Sequence, residues 1–208
     1  AAPPTQGPVA PPAVKASLDD LRGLRARMTD RVTPRLISAV RKVLDDQRAD
    51  VVRRVRDHWS SIATHPNDDA RYWVADRWDK PMTDAMAPLL ISMTSQVAAA
   101  IDAVLKPAEK ASLADERAIR AILTRGVTRV AGINATTRDD LRRLIRDAID
   151  RGLSPAEAGD LVENWTGWDE YRAERIARTE LTAAYNDAAL TSYDTHGVTQ
   201  VEAIDGDE

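Results

Sequence analysis

One segment near the C-terminus combines the residue types that can do chemistry. Arg172, Arg175 and Arg178 recur at three-residue steps, and Thr179 and Glu180 follow directly. A guanidinium can bind a phosphate or a carboxylate, and a carboxylate can act as a base or a metal ligand. On a helix, however, Glu180 falls on or beside the apolar stripe, where an unpaired carboxylate is costly. We therefore expect a buried Glu180 that pairs with an arginine or caps a neighbouring helix, rather than a catalytic carboxylate.

Other residues offer little catalytic chemistry. The chain contains no cysteine, which excludes disulfides and thiolate chemistry within it. His58, His65 and His196 are far apart and lack metal-ligand spacing, and His196 is placed to meet the carbonyl groups at a helix end. The acids within 205–208 suit a flexible terminus better than a cation site. We predict no catalytic residue, no metal site and no cofactor, and a protein that is not an enzyme.

A basic face on the first long helix is the best candidate for contact with DNA. Residues 31–58 carry eight Lys or Arg against four Asp, although the whole chain has a net charge of −4. Arginine forks suit phosphates, but Asp45, Asp46 and Asp50 interleave with them, which favours a solvated helix face. The residues predicted to contact phosphate are Arg41, Lys42, Arg48, Arg53, Arg54 and Arg56.

The pattern around these residues predicts an all-α chain. Residues 1–16 contain five Pro and one Gly and are expected to form a linker or a disordered arm. Beyond them, apolar residues recur at three- and four-residue steps, which is typical of amphipathic helices. A short helix is expected over 68–78. Helix breaks are predicted at Thr33–Pro34, 65–67, Lys80–Pro81, Lys106–Pro107, 134–137, Gly152 and Gly197. A capping box formed by Ser154 and Glu157 predicts the start of the helix after Gly152.

The exception to this helical pattern is one short C-terminal β-strand, predicted over 198–204. A lone strand needs a partner, which we expect beyond residue 208 or in another chain. The predicted organisation is therefore an arm over 1–16, an N-terminal helical region over 17–105 and a second helical domain over 106–208. No uninterrupted apolar run reaches the about 20 residues that span a bilayer, so no membrane partner is expected.

The order of motifs in the second half resembles the phage head-morphogenesis family, whose members are similar to protein F of phage Mu. The resemblance covers roughly residues 115–208. It begins at the turn over 134–137, continues through the Gly-Leu-Ser-Pro-Ala-Glu hinge at 152–157 and ends in an Arg-Ala…Ile-Ala-Arg-Thr-Glu helix. The matching positions on that helix are Arg172, Ala173, Ile176, Ala177, Arg178, Thr179, Glu180, Asn186 and Tyr193.

Two departures from the family pattern limit what the resemblance implies. Glu202 and Ala203 stand where the family often has a tryptophan in the late strand. The family often continues after its Asp with Cys and His residues similar to a metal-binding knuckle, whereas the residues after Asp205 here are Gly206, Asp207 and Glu208. We therefore carry over no metal site, and we expect the 106–208 domain to be truncated at its C-terminal end.

The resemblance implies a minor head protein of a tailed phage. Such a protein lies inside the capsid near the portal vertex, after assembly in the host cytoplasm. Its expected role is to assist head assembly and the packaging or ejection of DNA. The implied partners are the portal protein, to which it is docked or fused, the major capsid protein and packaged double-stranded DNA, bound weakly and without sequence preference. Several copies per virion are expected.

Two other classes of function remain open at the level of sequence. Domains of this family also precede toxin or enzyme modules, so the chain is alternatively the delivery part of a phage-encoded effector. A generic helical oligomerisation module is the other alternative, in which case the resemblance is accidental.

Overall fold

The computed structural model describes residues 15–105 and 111–198. Within these ranges the chain is all α, as the sequence predicts. Only Val198 of the predicted strand lies within the described residues, and the acidic turn over 205–208 lies outside them, as does the boundary at Lys106–Pro107. The helices of the described ranges are α1 (Lys15–Thr64), α2 (Ala75–Leu105), α3 (Ala111–Asp150), α4 (Pro155–Glu163) and α5 (Glu170–Thr195), with short 3-10 turns at Asp69–Arg71 and Thr166–Trp168.

Helix α1 runs through the predicted break at Thr33–Pro34, so that prediction is wrong. Pro34 removes one backbone donor from the helix. Val32 and Leu36 on either side of it are nevertheless buried in the same core, and this packing holds the helix together through the proline. A local departure occurs instead at His58, whose φ of −122° and ψ of 19° are not helical.

The predicted short helix over 68–78 and the helix start at Lys80–Pro81 are also wrong. A 3-10 turn occupies Asp69–Arg71, and α2 then begins at Ala75 and continues through Pro81 and Pro88. Between the two elements, Tyr72 and Trp73 are buried. The Trp73 ring lies 6.4 Å from that of Trp78. Burial of these aromatic rings therefore turns the chain between α1 and α2.

The predicted turn over 134–137 lies inside α3 and is wrong as well. Asn134 and Thr137 are both buried. The Asn134 amide accepts a hydrogen bond from Gln47 of α1 at 3.1 Å and donates one to Asp79 of α2 at 2.7 Å. Polar side chains that usually favour turns serve here to join α1, α2 and α3 by hydrogen bonds. The helix continues because these bonds to its neighbours satisfy the amide.

The two predicted helical regions share one buried core. Helix α2 packs against α1, α3 and α5, and α1 also packs against α4 and α5. Leucine, isoleucine, valine and methionine fill most of the core, with alanine where α5 approaches its neighbours. Buried residues from both regions include Leu36, Leu44, Met93, Leu141, Ile145, Leu181 and Ala184.

Helix α2 contains the apolar segment Arg77–Asp102, which is long and apolar enough to cross a membrane by length and composition alone, with a mean hydropathy of 1.3. The core helix of a soluble bundle passes the same test. Met82, Met86, Leu90, Met93 and other apolar residues of this segment are buried against the neighbouring helices. Burial inside the protein covers 39% of this segment, so packing accounts for part of its apolarity.

The predicted stop at Gly152 and the start at Ser154 are both confirmed. Gly152 has a φ of +66°, a left-handed conformation that favours glycine. Ser154 and Glu157 form a reciprocal capping box at the start of α4. The hydrogen bonds from the side chain and backbone of Ser154 lower the pKa of Glu157 below its usual value. These caps fix the sharp reversal that lays α4 on α1.

A partly buried ion cluster joins the 3-10 turn after α1 to helix α3. Asp69 accepts hydrogen bonds from the Tyr72 hydroxyl at 2.6 Å and from Arg142 Nε at 3.1 Å. Burial of Asp69 acts to raise its pKa, but the bonds from Arg142 and Tyr72 outweigh that effect and lower it. Burial and the neighbouring Asp69 in turn raise the pKa of Tyr72.

This cluster predicts a pH-dependent contribution to stability. Because the folded-state pKa of Asp69 lies below its ordinary value of 3.8, the stabilisation is complete above pH 3.8 and is lost as pH falls through the folded value. Asp69→Asn is expected to lower the free energy of unfolding by on the order of 1 kcal/mol at pH 6. Urea unfolding should show that the difference in unfolding free energy between this variant and the wild type becomes smaller below about pH 4. A gap that stays constant from pH 6 to about pH 2.5 would contradict this assignment.

Candidate functional site: the α3–α5 seam and the basic face of α1

The motif residues of α5 divide into a buried face and an exposed face. Arg172, Ala173, Ile176, Ala177 and Glu180 are buried. The remaining motif positions are exposed at Arg178, Thr179 and Asn186 and half-buried at Tyr193. Packing accounts for the buried set and in part for Tyr193, which lies against the core, whereas Arg178, Thr179 and Asn186 lie on the surface of the helix.

Glu180 is buried and paired with an arginine, as the sequence analysis expects. Its side chain is 4% exposed, and its Oε2 accepts a hydrogen bond from Arg129 Nε of α3 at 2.6 Å. Arg129 Nη1 lies 3.8 Å from Asp187 Oδ2, and Asp187 also pairs with Arg125. Two arginines of α3 thus face two acids of α5. The two positive and two negative charges balance. This arrangement is better suited to holding α3 and α5 together than to a catalytic base.

Arg172 is buried, unlike Arg175 and Arg178 on the same helix. It donates to the Gly167 carbonyl at 3.1 Å and to Thr137 Oγ1 at 2.7 Å. Burial lowers its pKa from the ordinary value, but an arginine remains protonated in proteins. Because its donors are turned towards α3 and the 3-10 turn before α5, Arg172 is unsuited to a surface phosphate track.

Two tryptophans and a glycine complete the pocket around Arg172. The Arg172 guanidinium lies 5.5 Å from the centre of the Trp165 ring, a cation–π contact. Trp165 meets Trp168 edge to face, with ring centres 4.8 Å apart. A Cβ on Gly167 would overlap the Trp165 ring. The Trp-Thr-Gly-Trp segment therefore has a glycine where the indole lies against the backbone, and this arrangement positions the start of α5.

A small cleft of about 230 Å³ opens along this seam. Its polar groups are mostly engaged: Arg172 with backbone and Thr137, and Glu180 with Arg129. Across the described ranges, no group of three or more His, Asp or Glu side chains is placed to hold a metal ion. The lining residues are Ile133, Thr136, Arg172, Arg175, Ile176, Thr179 and Glu180.

On the basic face of α1, intramolecular acids neutralise several of the predicted DNA-contacting residues. Arg41 pairs with Glu170 of α5 at 2.9 Å, and Arg48 pairs with Asp45 at 3.3 Å. Arg56 pairs with both Asp160 and Glu163 of α4, at 2.7 and 2.8 Å. Lys42 is exposed. Contact with DNA stays a prediction. Three of its six residues, Arg41, Arg48 and Arg56, are already paired with acids of the same chain.

Arg53 and Arg54 belong to a different arrangement. Both pair with Asp50, whose side chain is only 6% exposed. Arg77 of α2 joins them, with its Nη1 3.5 Å from Asp50 Oδ1. Sequence reasoning missed Arg77, since the only signal it carries is its position beside Trp78. The contact across two helices is what brings three arginines onto one carboxylate.

His196 occupies a different place from the one expected. Its Nε2 lies 2.7 Å from Asp102 Oδ1, and its side chain is 5% exposed. The imidazole therefore joins the end of α5 to the end of α2 instead of meeting the terminal carbonyl groups of its own helix. His65 meets Ser61 and Thr64, and His58 is exposed, so the three histidines are not brought together.

Comparison of the chain with protein-family models, with curated proteins and with solved structures finds no match.

Proposed function

We propose that this chain is a structural minor head protein of a tailed phage. In this proposal it lies inside the capsid near the portal vertex, in several copies, after assembly in the host cytoplasm. It docks on or is fused to the portal protein, contacts the major capsid protein and assists head assembly and the packaging or ejection of DNA. Its role is binding, with no catalytic centre. The proposal keeps the short strand over 198–204 as the edge that pairs with a partner.

The observation that carries the proposal is the order of motifs from residue 134 to Glu180. The separate pieces of that pattern are in contact in the fold. Arg172, from the final helix, donates to Thr137 of the Thr-Thr-Arg segment, which lies 35 residues earlier. Helix α4, which begins in the hinge, packs against α3, which contains that segment. The pieces of the pattern therefore meet in the fold, while the family proposal itself rests on the order of the residue types.

In this proposal, the portal or capsid partner binds at the exposed motif residues of α5. Arg178 already pairs with Glu174 at 2.9 Å, whereas Thr179 and Asn186 are exposed on the same helix. Substitution of an exposed residue rarely changes stability by more than about 0.5 kcal/mol. A loss of partner binding in variants at these two positions would therefore report on docking and not on folding.

The proposed function is tested by recovering the tagged chain from assembling heads of the phage that encodes it. We expect the portal protein to be recovered with it. The double variant Thr179→Glu/Asn186→Arg should weaken this recovery roughly tenfold or more, since about 1.4 kcal/mol of lost binding energy gives that factor. Asp57→Arg, an exposed change on α1, should leave recovery unchanged. A folded chain that recovers neither portal nor capsid protein would overturn the proposal.

A further inference from the structure

Asp50 organises a cluster of arginines beside a cleft between α1 and α2. Its Oδ2 accepts from Arg54 Nε at 2.9 Å, and its Oδ1 meets Arg53 and, at 3.5 Å, Arg77. The carboxylate is buried, but the Arg53 and Arg77 side chains are 61% and 48% exposed. A guanidinium has five N–H donors, so each of these arginines retains donors beyond those facing Asp50.

We propose that this cluster binds a phosphodiester group of a nucleic-acid backbone, in the cleft lined by Arg53, Arg77 and Trp78. The cleft has a volume of about 550 Å³. Arginine forks match phosphate oxygens in geometry and charge. Anchoring by a buried carboxylate holds the guanidinium groups in place before a ligand arrives, which reduces the entropy lost on binding.

The charge balance distinguishes this cluster from the rest of the basic face. Arg41 and Arg48 each face one acid, and Arg56 faces two. At Asp50, three arginines share one carboxylate. The cleft is lined by two arginines, Arg53 and Arg77, and by two aspartates, Asp46 and Asp50. Arg54 pairs with Asp50 from outside the lining, so the five side chains together carry one net positive charge. That balance suits the single negative charge of a phosphodiester better than the double charge of a phosphate monoester.

The Trp78 ring forms one wall of the cleft. Its indole Nε1 is enclosed by protein atoms and has no hydrogen-bond partner, as is also true of Trp73 Nε1. The anion site therefore depends on the arginines, and the indole serves as a nearby reporter. The Arg77 guanidinium lies 5.4 Å from the centre of the Trp78 ring, so the indole also positions Arg77.

The site is expected to read backbone charge and not base sequence. Trp78 is only 6% exposed and therefore offers little face for stacking on a base, which is the usual route to single-strand binding by aromatic residues. No recognition helix is required, because phosphate contacts position a nucleic acid without specifying its sequence. The assignment of the phosphodiester to DNA rests on the proposed head function. The anion site itself rests on the geometry of the cluster.

The test compares two double variants of the full chain for binding to a short labelled duplex across a salt series. Arg53→Gln/Arg77→Gln removes the exposed arginines and leaves Asp50 paired with Arg54, so the fold should be retained. We expect roughly tenfold weaker binding. The plot of the logarithm of the binding constant against the logarithm of the salt concentration should have a slope that is shallower by about 1. Arg143→Gln/Arg151→Gln removes the same charge from one-to-one pairs with Asp140 and Asp147 on α3 and should leave both quantities close to wild type.

The indole N–H resonance of Trp78 gives a direct reading of the site. Addition of duplex DNA should shift this resonance in the wild type and not in Arg53→Gln/Arg77→Gln. A shift with inorganic phosphate but no duplex binding would support the anion site and overturn its assignment to nucleic acid. Equal losses in both double variants, or no shift with either ligand, would overturn the site itself. The same variant is also tested for recovery of the portal protein. If Arg53→Gln/Arg77→Gln binds DNA as well as the wild type but still recovers the portal protein, the anion site fails and the proposed function does not.

Discussion

Replacement of Glu180 by alanine is expected to lower the free energy of unfolding by about 2 to 3 kcal/mol. Removal of one partner of a buried ion pair leaves an uncompensated charge, which costs about 3 to 5 kcal/mol where both partners are fully buried. The cost here is smaller because the Arg129 side chain keeps 27% exposure and can turn towards Asp187. Urea unfolding, followed by circular dichroism at 222 nm, measures the change.

Helix α5 provides a matched control for this prediction. Glu174 pairs with Arg178, with its Oε1 2.6 Å from Arg178 Nη2, but the two side chains are 37% and 67% exposed. Glu174→Ala removes the same chemical group from the same helix, and its effect is expected to stay within about 0.5 kcal/mol. Similar losses for the two variants would show that burial of Glu180 is not the source of its effect.

The double variant Glu180→Leu/Arg129→Met separates pairing from packing. Replacement of both members of a buried pair by apolar residues of similar size is often neutral or stabilising. We therefore expect it to be more stable than Glu180→Ala. If it is at least as destabilised, Glu180 makes a contribution to the fold beyond its pair with Arg129.

Replacement of Arg172 by alanine is expected to cost about 3 kcal/mol. The change removes the donors to the Gly167 carbonyl and to Thr137, and it leaves a cavity beside the Trp165 ring. Thr137 retains its own bond to the Ile133 carbonyl at 3.0 Å, which limits the loss. The unfolding free energy, together with near-ultraviolet circular dichroism of the tryptophans, measures the effect.

Arg175 is the matched control for Arg172. It lies three residues further along α5 and is exposed. Arg175→Ala should change stability by less than about 0.5 kcal/mol and leave the tryptophan signal unaltered. A large loss at Arg175, or an unchanged tryptophan signal in Arg172→Ala, would contradict the packing described for this helix.

Local sequence rules placed the second half of the chain better than the first. Gly152 and the Ser154–Glu157 box were predicted correctly because their effects depend on residues within one turn. The breaks at Pro34 and Pro81 were wrong. A proline inside a helix costs about 3 kcal/mol through a lost hydrogen bond and a ring clash, and burial of the neighbouring apolar residues outweighs that cost. Asn134 was misplaced because its amide finds acceptors and donors on two other helices, 87 and 55 residues away in sequence.

The sequence alone determined the helical class, the stop at Gly152 and the expectation that Glu180 is buried with an arginine. Each of these follows from periodicity or from contacts within a few residues. Only the tertiary structure decided that Arg129 is the partner of Glu180, that Arg172 is buried while Arg175 is exposed, and that Arg77 joins Arg53 and Arg54 on Asp50. The physical reason is that a helical pattern specifies which face is apolar, whereas the identity of a buried charge's partner depends on which helix packs against that face.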